Sequence, residues 1–269
     1  MKIGVVGGGV VGNATAQAFL SYVEEVRIHD TLPERSTHPL PDVLACELIF
    51  VCLPTPQQEK SLRCDLSFID GFFGSLSDQQ KTGNFVLRST VPVGTTRRLS
   101  KQYGLPNLIH SPEFLTARTA VEDAKNPTRN IIGVTGHWED EPAQTLASLY
   151  RLAFGKTPLF VLTTEESELC KLTQNAFSAV KISFFNEIRV YADKVGVDWD
   201  MLREALLAGG WINPMHTQVP GHDKKWGWGG NCLPKDLSNL IACLMEANCT
   251  ALVLGAAHTR NRSDRERTT

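Results

Sequence analysis

The run Gly7-Gly8-Gly9-Val10-Val11-Gly12 constrains this chain more than any other feature. It is a G-x-G-x-x-G, weak in isolation. It becomes restrictive where it follows a strand (Lys2 to Val6), opens a helix (Val10 to Ser21) and so occupies a first strand–helix turn. Glycines there let backbone amides approach a pyrophosphate, whose charge the helix N-terminus favours. Gly7, Gly9, Val10, Val11 and Gly12 are the expected contacts. Asp30 ends a second strand, Val26 to Asp30, at the place where an acid bonds a ribose 2′-hydroxyl and repels a 2′-phosphate. The expected cofactor is therefore NAD rather than NADP. The competing readings, a glycine turn without cofactor and an ordinary strand-end acid, are disfavoured by this shared context.

The rest of the N-terminal part repeats the alternation. Leu48 to Leu53, Asn84 to Arg88, Asn107 to His110, Asn130 to Val134 and Leu159 to Leu162 read as strands. Residues 66–80 are weakly helical, and a helix is expected from about Gly94. This pattern predicts an α/β fold with a Rossmann-type, doubly wound parallel sheet. After Thr163 the texture changes. Residues 165–195 contain no Pro and no Gly, and apolar residues fall on most faces of the helix they predict. Such a helix must be buried, centrally or in a dimer interface. Further helices are expected over 199–208 and 234–248, with a Gly-, Trp- and Pro-rich loop over 209–231 and a charged tail that frays after His258. The division is an NAD-binding domain over 1–164 and a helical domain, with the long central helix, over 165–269.

Composition excludes several classes. With 42% hydrophobic and 21% charged residues and a net charge of −2, nothing points to nucleic acid or an anionic membrane surface. Seven cysteines without a Cys-x-x-Cys pair indicate neither a disulfide framework nor a metal site. Reduced thiols and a cytoplasmic setting are expected. The apolar start, Met1 to Phe19, carries five glycines and an Asn, and reads as strand, turn and helix rather than a signal peptide. No run is long and apolar enough to span a membrane.

Candidate chemistry gathers at several points. Gly227-Trp228-Gly229-Gly230-Asn231-Cys232-Leu233-Pro234-Lys235-Asp236 puts a cysteine behind a glycine loop and just before a helix whose first position Pro234 suits. A thiol at a helix N-terminus near a lysine ionises more readily than an isolated one. An inert core thiol is the default for a lone cysteine, and the flanking residues argue against it. Lys171 and Asn175, four apart, share a helix face and could cradle an alkoxide, the alternative being a solvated stripe. Glu113 follows a strand, where it could act as a base on water, although spacing alone favours an ordinary surface glutamate. Thr55, followed by Pro56, and Ser89-Thr90 close strands at the edge where α/β sheets bind ligands. Their hydroxyls suit ribose or substrate, and helix capping suits them equally.

Taken together, Gly7–Gly12, Cys52–Pro56, Ser89–Thr95, Ser111–Leu115, the helix from Glu168 to Ile188 and Gly227–Asp236 resemble the UDP-glucose/GDP-mannose dehydrogenases. The resemblance implies oxidation of a nucleotide sugar at C6 to the uronic acid, with NAD, through a cysteine thiohemiacetal and thioester. It implies Cys232 as nucleophile and Lys171 and Asn175 as oxyanion stabilisers. Asp236 would activate water, Glu113 would assist hydrolysis and Thr90 would hold water or substrate. Phe114, Leu115, Gly229 and Lys235, with Lys171 and Asn175, are implied substrate contacts, and Thr55, Pro56, Ser89 and Thr90 line the cofactor side. It also implies a homodimer through the helix 165–195. Two departures stand out. The family runs on into a second Rossmann-like domain, about where these 269 residues stop, so the nucleotide is expected to be held differently, by a partner subunit, or not at all. And a family glutamate four residues past Glu113 is here Ala117, beside Arg118, which weakens the expectation for hydrolysis. The loop His222-Asp223-Lys224-Lys225-Trp226 offers charge for a phosphate. The alternative functions are a two-electron alcohol dehydrogenase on a smaller substrate and an NAD- or nucleotide-sugar-binding protein without turnover.

Overall fold

The computed structural model describes residues 1–59 and 61–267. They form two compact units, one of Met1–Pro56 and Cys64–Lys171, the other of Gln57–Arg63 and Leu172–Thr269.

In the first unit, strands β1 (Lys2–Val6), β2 (Glu25–His29), β3 (Leu48–Val51), β4 (Phe85–Leu87), β5 (Leu108–His110), β6 (Asn130–Val134) and β7 (Leu159–Thr163) form one sheet of order β2-β1-β3-β4-β5-β6-β7. Helices α1 (Val10–Phe19), α2 (Leu40–Leu44), α3 (Ser67–Ser75), α4 (Thr95–Tyr103), α5 (Ala120–Lys125) and α6 (Glu141–Phe154) connect them. Strand alternation builds two cores. Val5, Phe50, Val86 and Ile109 pack with α1 and α6 on one face, and Val6, Ile49, Val51, Phe85, Leu87 and Leu108 pack with α3 and α4 on the other. Successive side chains point to opposite faces, so short apolar runs with no polar alternation are what a two-sided sheet requires.

Strands β1 to β5 are parallel, as expected, but β6 meets β5 antiparallel at His110 and Gly133. The chain between them carries only the six-residue α5, whose Ala120 and Ala124 pack on Ala14 and Ala18 of α1. It makes no crossover and returns along the edge it left. Strand β7, parallel to β6, then runs without a loop into α7 (Thr164–Val195).

The second unit holds α7 from Leu172, α8 (Trp199–Ala208), α9 (Leu233–Glu246) and α10 (Leu252–Arg265). Its core joins Leu172, Ala176 and Ala179 of α7 to Trp228 and to Leu237, Leu240 and Ile241 of α9. One expectation changes here. The tail does not fray at His258, because α10 continues to Arg265 and buries Asp264, which accepts from Arg260 Nε at 3.0 Å. The last two residues of that tail, 268–269, lie outside the described residues. Within one chain α7 is not covered all round, since Phe177, Phe184 and Tyr191 are 64%, 56% and 66% exposed. Their seven-residue spacing sets them on one face.

Candidate active site

The glycine turn is set by sterics. Gly7 has φ +97°, and a Cβ there would sit 2.5 Å from the Cys52 carbonyl oxygen. A Cβ on Gly12 would sit 1.8 Å from the Gly7 oxygen, so helix α1 packs against the turn only with glycine at this position. Gly9 differs, because a Cβ there meets nothing within 4 Å of this chain. Open space in front of the helix N-cap is what a pyrophosphate drawn to α1 needs, and α1 has no acid in its first turn to repel it. Asp30 Oδ2 accepts from the Gly8 amide at 2.6 Å and Oδ1 from the Leu32 amide at 2.9 Å. Burial pushes its carboxyl up, but these two amides and Arg35 outweigh it and hold the carboxyl below its ordinary value. These residues fit NAD.

The hydroxyls at the same sheet edge are committed as donors. Ser89 Oγ donates to the Leu53 carbonyl at 2.7 Å, and Thr55 Oγ1 to the Thr90 carbonyl at 2.8 Å. They tie the segment after β3 to that after β4, and towards a ligand each can only accept. Pro56 is exposed at the end of this segment, and Thr90 is half-buried.

Past β5, Glu113 and Lys171 form a buried ion pair, Nζ to Oε1 3.0 Å, with side chains 9% and 5% exposed. Glu113 Oε2 also accepts from the Leu115 amide at 2.6 Å. Burial pushes the carboxyl up, but Lys171, the Leu115 amide and Arg88 outweigh it and hold it below the usual range. The pair is flanked by Phe114, whose ring centroid lies 5.4 Å from Lys171 Nζ and 3.9 Å from the Arg129 guanidinium. Spacing alone favours a surface glutamate here. The structure buries it with a cation, which few places in a protein do without a chemical or structural reason. Ala117 and Arg118 are exposed.

In the second unit Cys232 is exposed and is the N-cap of α9, with Pro234 the second helical residue. The partial positive charge of that helix end favours a thiolate by about 0.3–1 kcal/mol. One turn on, Asp236 is buried, accepts from Asn175 Nδ2 at 2.5 Å and pairs with Lys235. The lysine beside the thiol is thus engaged with the adjacent carboxylate. The loop before Cys232 is held from remote helices. The Gly227 amide donates to Asn186 Oδ1 at 2.8 Å and the Trp228 amide to Asn261 Oδ1 at 2.7 Å. Asn261 Nδ2 and Arg265 Nε donate to the Trp228 carbonyl at 3.0 and 2.9 Å. Trp228 Nε1 donates to Ser183 Oγ at 2.9 Å. A Cβ on Gly229 would sit 2.0 Å from Arg265 Nη2 and would displace that guanidinium. Lys224 and Lys225 are exposed, and Asp223 pairs with Arg265 at 2.9 Å.

Sequence reasoning passed over four residues that matter here: Arg88, His110, Asn261 and Arg265. Arg88 bonds Thr15 Oγ1, the Ser111 carbonyl and Tyr150 Oη, each at 3.1 Å, and all are neutral partners. His110 is fully buried with Nδ1 2.8 Å from Ser167 Oγ, and burial pushes it down to about 3. The one available signal was position, since Arg88 and His110 sit directly before the Ser89-Thr90 and Ser111–Leu115 segments. Asn261 and Arg265 carried no signal beyond charge.

Comparison with known proteins gives the family. A model of the UDP-glucose/GDP-mannose dehydrogenase family NAD binding domain matches residues 34–153, and one of its central domain matches residues 165–263. This chain belongs to the UDP-glucose/GDP-mannose dehydrogenase family. The first match begins beyond the glycine turn and Asp30, which stand on their own geometry. A UDP-glucose 6-dehydrogenase of Rhizobium meliloti is 31% identical over 74% of this chain and 46% of its own length. One from Pseudomonas aeruginosa is 29% identical over 99% of this chain and 66% of its own length. The solved UDP-glucose dehydrogenase of Pyrobaculum islandicum superposes with a TM-score of 0.84 at 24% identity, covering 97% of this chain and 68% of that one. The chain thus spans about half the length of the first of these relatives. No helix among the described residues is long and apolar enough to cross a membrane.

Proposed function

We propose that this chain oxidises a nucleotide sugar of the UDP-glucose type at C6 to the uronic acid, using NAD. The glycine turn, Val10, Val11 and Asp30 would hold the cofactor, with Thr55, Pro56, Ser89 and Thr90 along its other side. Two NAD, bound in turn, would each accept one hydride, one per oxidation. Lys171 and Asn175 stabilise the oxyanions that develop at C6. The Cys232 thiolate adds to the aldehyde carbon and gives a thiohemiacetal, a tetrahedral centre that can be oxidised to a thioester. Water then releases the acid, with Asp236 and Glu113 accepting and relaying its protons and Thr90 holding it. Phe114, Leu115, Gly229 and Lys235 contact substrate. The functional division follows the NAD-binding residues 1–164 and the helical residues 165–269.

The observation that supports this most directly is the Asn175–Asp236 hydrogen bond at 2.5 Å. It joins α7 at Asn175 to the helix that begins just after Cys232. The test is NADH production on UDP-glucose, GDP-mannose and related sugars. Two NADH per sugar, lost in Cys232→Ala, supports the reading. One NADH with the aldehyde accumulating counts against the thioester, and turnover retained in Cys232→Ala points to a two-electron dehydrogenase. The same reading includes a homodimer through α7, whose exposed Phe177, Phe184 and Tyr191 form a stripe that a second copy would cover. Sedimentation of wild type against Phe184→Glu tests it, a monomeric wild type ruling it out.

A further inference from the structure

We propose that Glu168 is a positioning residue that sets Lys171 and the Thr90 segment in one frame, an inference that rests on the function proposed above. Glu168 is fully buried on α7, one turn before Lys171 and on the same face. Its Oε2 accepts from the Gly94 amide at 2.5 Å, and its Oε1 accepts from the Thr96 amide at 2.7 Å and from Thr96 Oγ1 at 2.6 Å. These are orphan donors of the first turn of α4. The N-cap of α4 is Gly94, with φ +87°, which has no side chain to satisfy them. A cap that is normally local, from Ser, Thr, Asp or Asn, here comes from 72 to 74 residues away.

The consequence is geometric. Thr90 lies in the segment that leads from β4 into this capped turn, and its carbonyl is held by Thr55 at 2.8 Å. The carboxylate therefore fixes α4 and its approach to α7 at the turn that precedes Lys171. Neighbouring contacts work in the same sense. Glu165 pairs with Arg97, whose Nη2 donates to Glu165 Oε2 at 3.0 Å, and Ser167 bonds His110. Along two turns of α7, residues 165 and 168 engage α4, 167 engages His110 of β5, and 171 engages Glu113 just past β5. In all three contacts Glu168 accepts, and an ionised carboxylate offers both oxygens to them. Burial works against this and pushes the carboxyl up to about 7, opposed by the Thr96 and Gly94 bonds and reinforced by Glu165. A hydrophobic residue would fill the space without that opposition, but it would leave the α4 donors unmet.

Glu168→Gln tests the assignment. It keeps one acceptor oxygen and turns an amide NH2 towards the donors. Two readouts are taken at a temperature where the variant keeps its circular dichroism. The first is the acylation rate of Lys171 followed by peptide mass, with exposed Lys101 as internal control. It is expected to rise about fivefold while Lys101 is unchanged, and it needs no turnover. The second is turnover, where kcat should fall about tenfold with the NAD KM within about twofold, since small misplacement of a catalytic cation is felt in the chemical step. Glu168→Asp, which retains charge but not reach, should lie between. If Glu168→Gln does not fold, Thr96→Val removes one donor from the other side and is read the same way. Unchanged Lys171 acylation in the folded variant overturns the proposal, as does normal kcat beside raised acylation. If wild type turns over no nucleotide sugar, the proposed function falls, and acylation alone decides the tether.

Discussion

The glycine turn of the first unit and the cysteine loop of the second are both irregular backbone before a helix, yet they are held in different ways. The turn is set by backbone sterics, with the Cys52 carbonyl closing on Gly7 and the Gly7 carbonyl on Gly12, and with Asp30 taking the Gly8 amide. The cysteine loop is suspended from side chains elsewhere, Ser183 and Asn186 on α7 and Asn261 and Arg265 on α10. A loop of the first kind is broken most directly by adding a side chain to the loop itself. A loop of the second kind is disturbed by substitutions more than thirty residues away, with no change near the thiol.

Several substitutions would break or sharpen that contrast. Cys232→Ala has the largest expected effect, complete loss of the second oxidation, read as NADH per sugar. Gly12→Ala comes next. With a Cβ 1.8 Å from the Gly7 oxygen the turn must open, and calorimetry should find NAD affinity lowered about 100-fold or more, roughly 3 kcal/mol. An unaltered affinity would show the turn to be more pliant than its contacts indicate.

Glu113→Gln leaves the buried Lys171 charge without its carboxylate, and denaturant unfolding at pH 7 should show a loss of about 3–5 kcal/mol. The sign with pH is fixed by direction. The folded-state carboxyl of Glu113 lies below its ordinary value, so its contribution is present above the unfolded value, near 4.5, and is lost as pH falls through the folded one. Wild type should therefore lose more stability than Glu113→Gln on acidification below about pH 5. Parallel curves would mean that the pair is already compensated in the unfolded chain.

Arg265→Ala probes the suspended loop. It removes the Trp228 carbonyl bond and the Asp223 pair, so stability should fall by about 1–2 kcal/mol and kcat by about tenfold, with NAD affinity unchanged. A parallel loss of NAD affinity would contradict the separation of the two regions. The smallest effect belongs to Lys224→Ala with Lys225→Ala. If their loop meets a substrate phosphate, KM for the sugar rises a few-fold, and an unchanged KM removes the loop from the site.

What could be read from residues follows from how local each cause is. The glycine turn, Asp30 and the apolar strands were legible, because a G-x-G-x-x-G and two-sided burial leave period and composition in consecutive residues. Helix 199–208 was legible too, and Asp198, whose side chain accepts from the Asp200 and Met201 amides, is the cap that starts it. The antiparallel turn into β6 was not, since strand direction depends on where α5 docks against Ala14 and Ala18. The tail past His258 looked like solvated charge because Arg260, Asp264 and Arg265 are spaced for a helix but carry no apolar stripe; their partners include one another, Glu187, Arg267, Trp228 and Asp223. Glu113 was placed as a possible base by its position after a strand, but its burial with Lys171 rests on residues 58 positions apart and left no trace in spacing.

The anchoring of Trp228 from α10 has a practical side for anyone altering this chain. Asn261 and Arg265 stand one turn apart near the end of that helix, and both grip a single residue's backbone. An insertion or protease cut between Leu252 and Arg265 would slacken the thiol's surroundings without touching them, whereas a fusion joined beyond residue 267 leaves every anchor in place. The rate at which Cys232 takes up a thiol reagent would therefore serve as a gauge of whether this distant helix is intact.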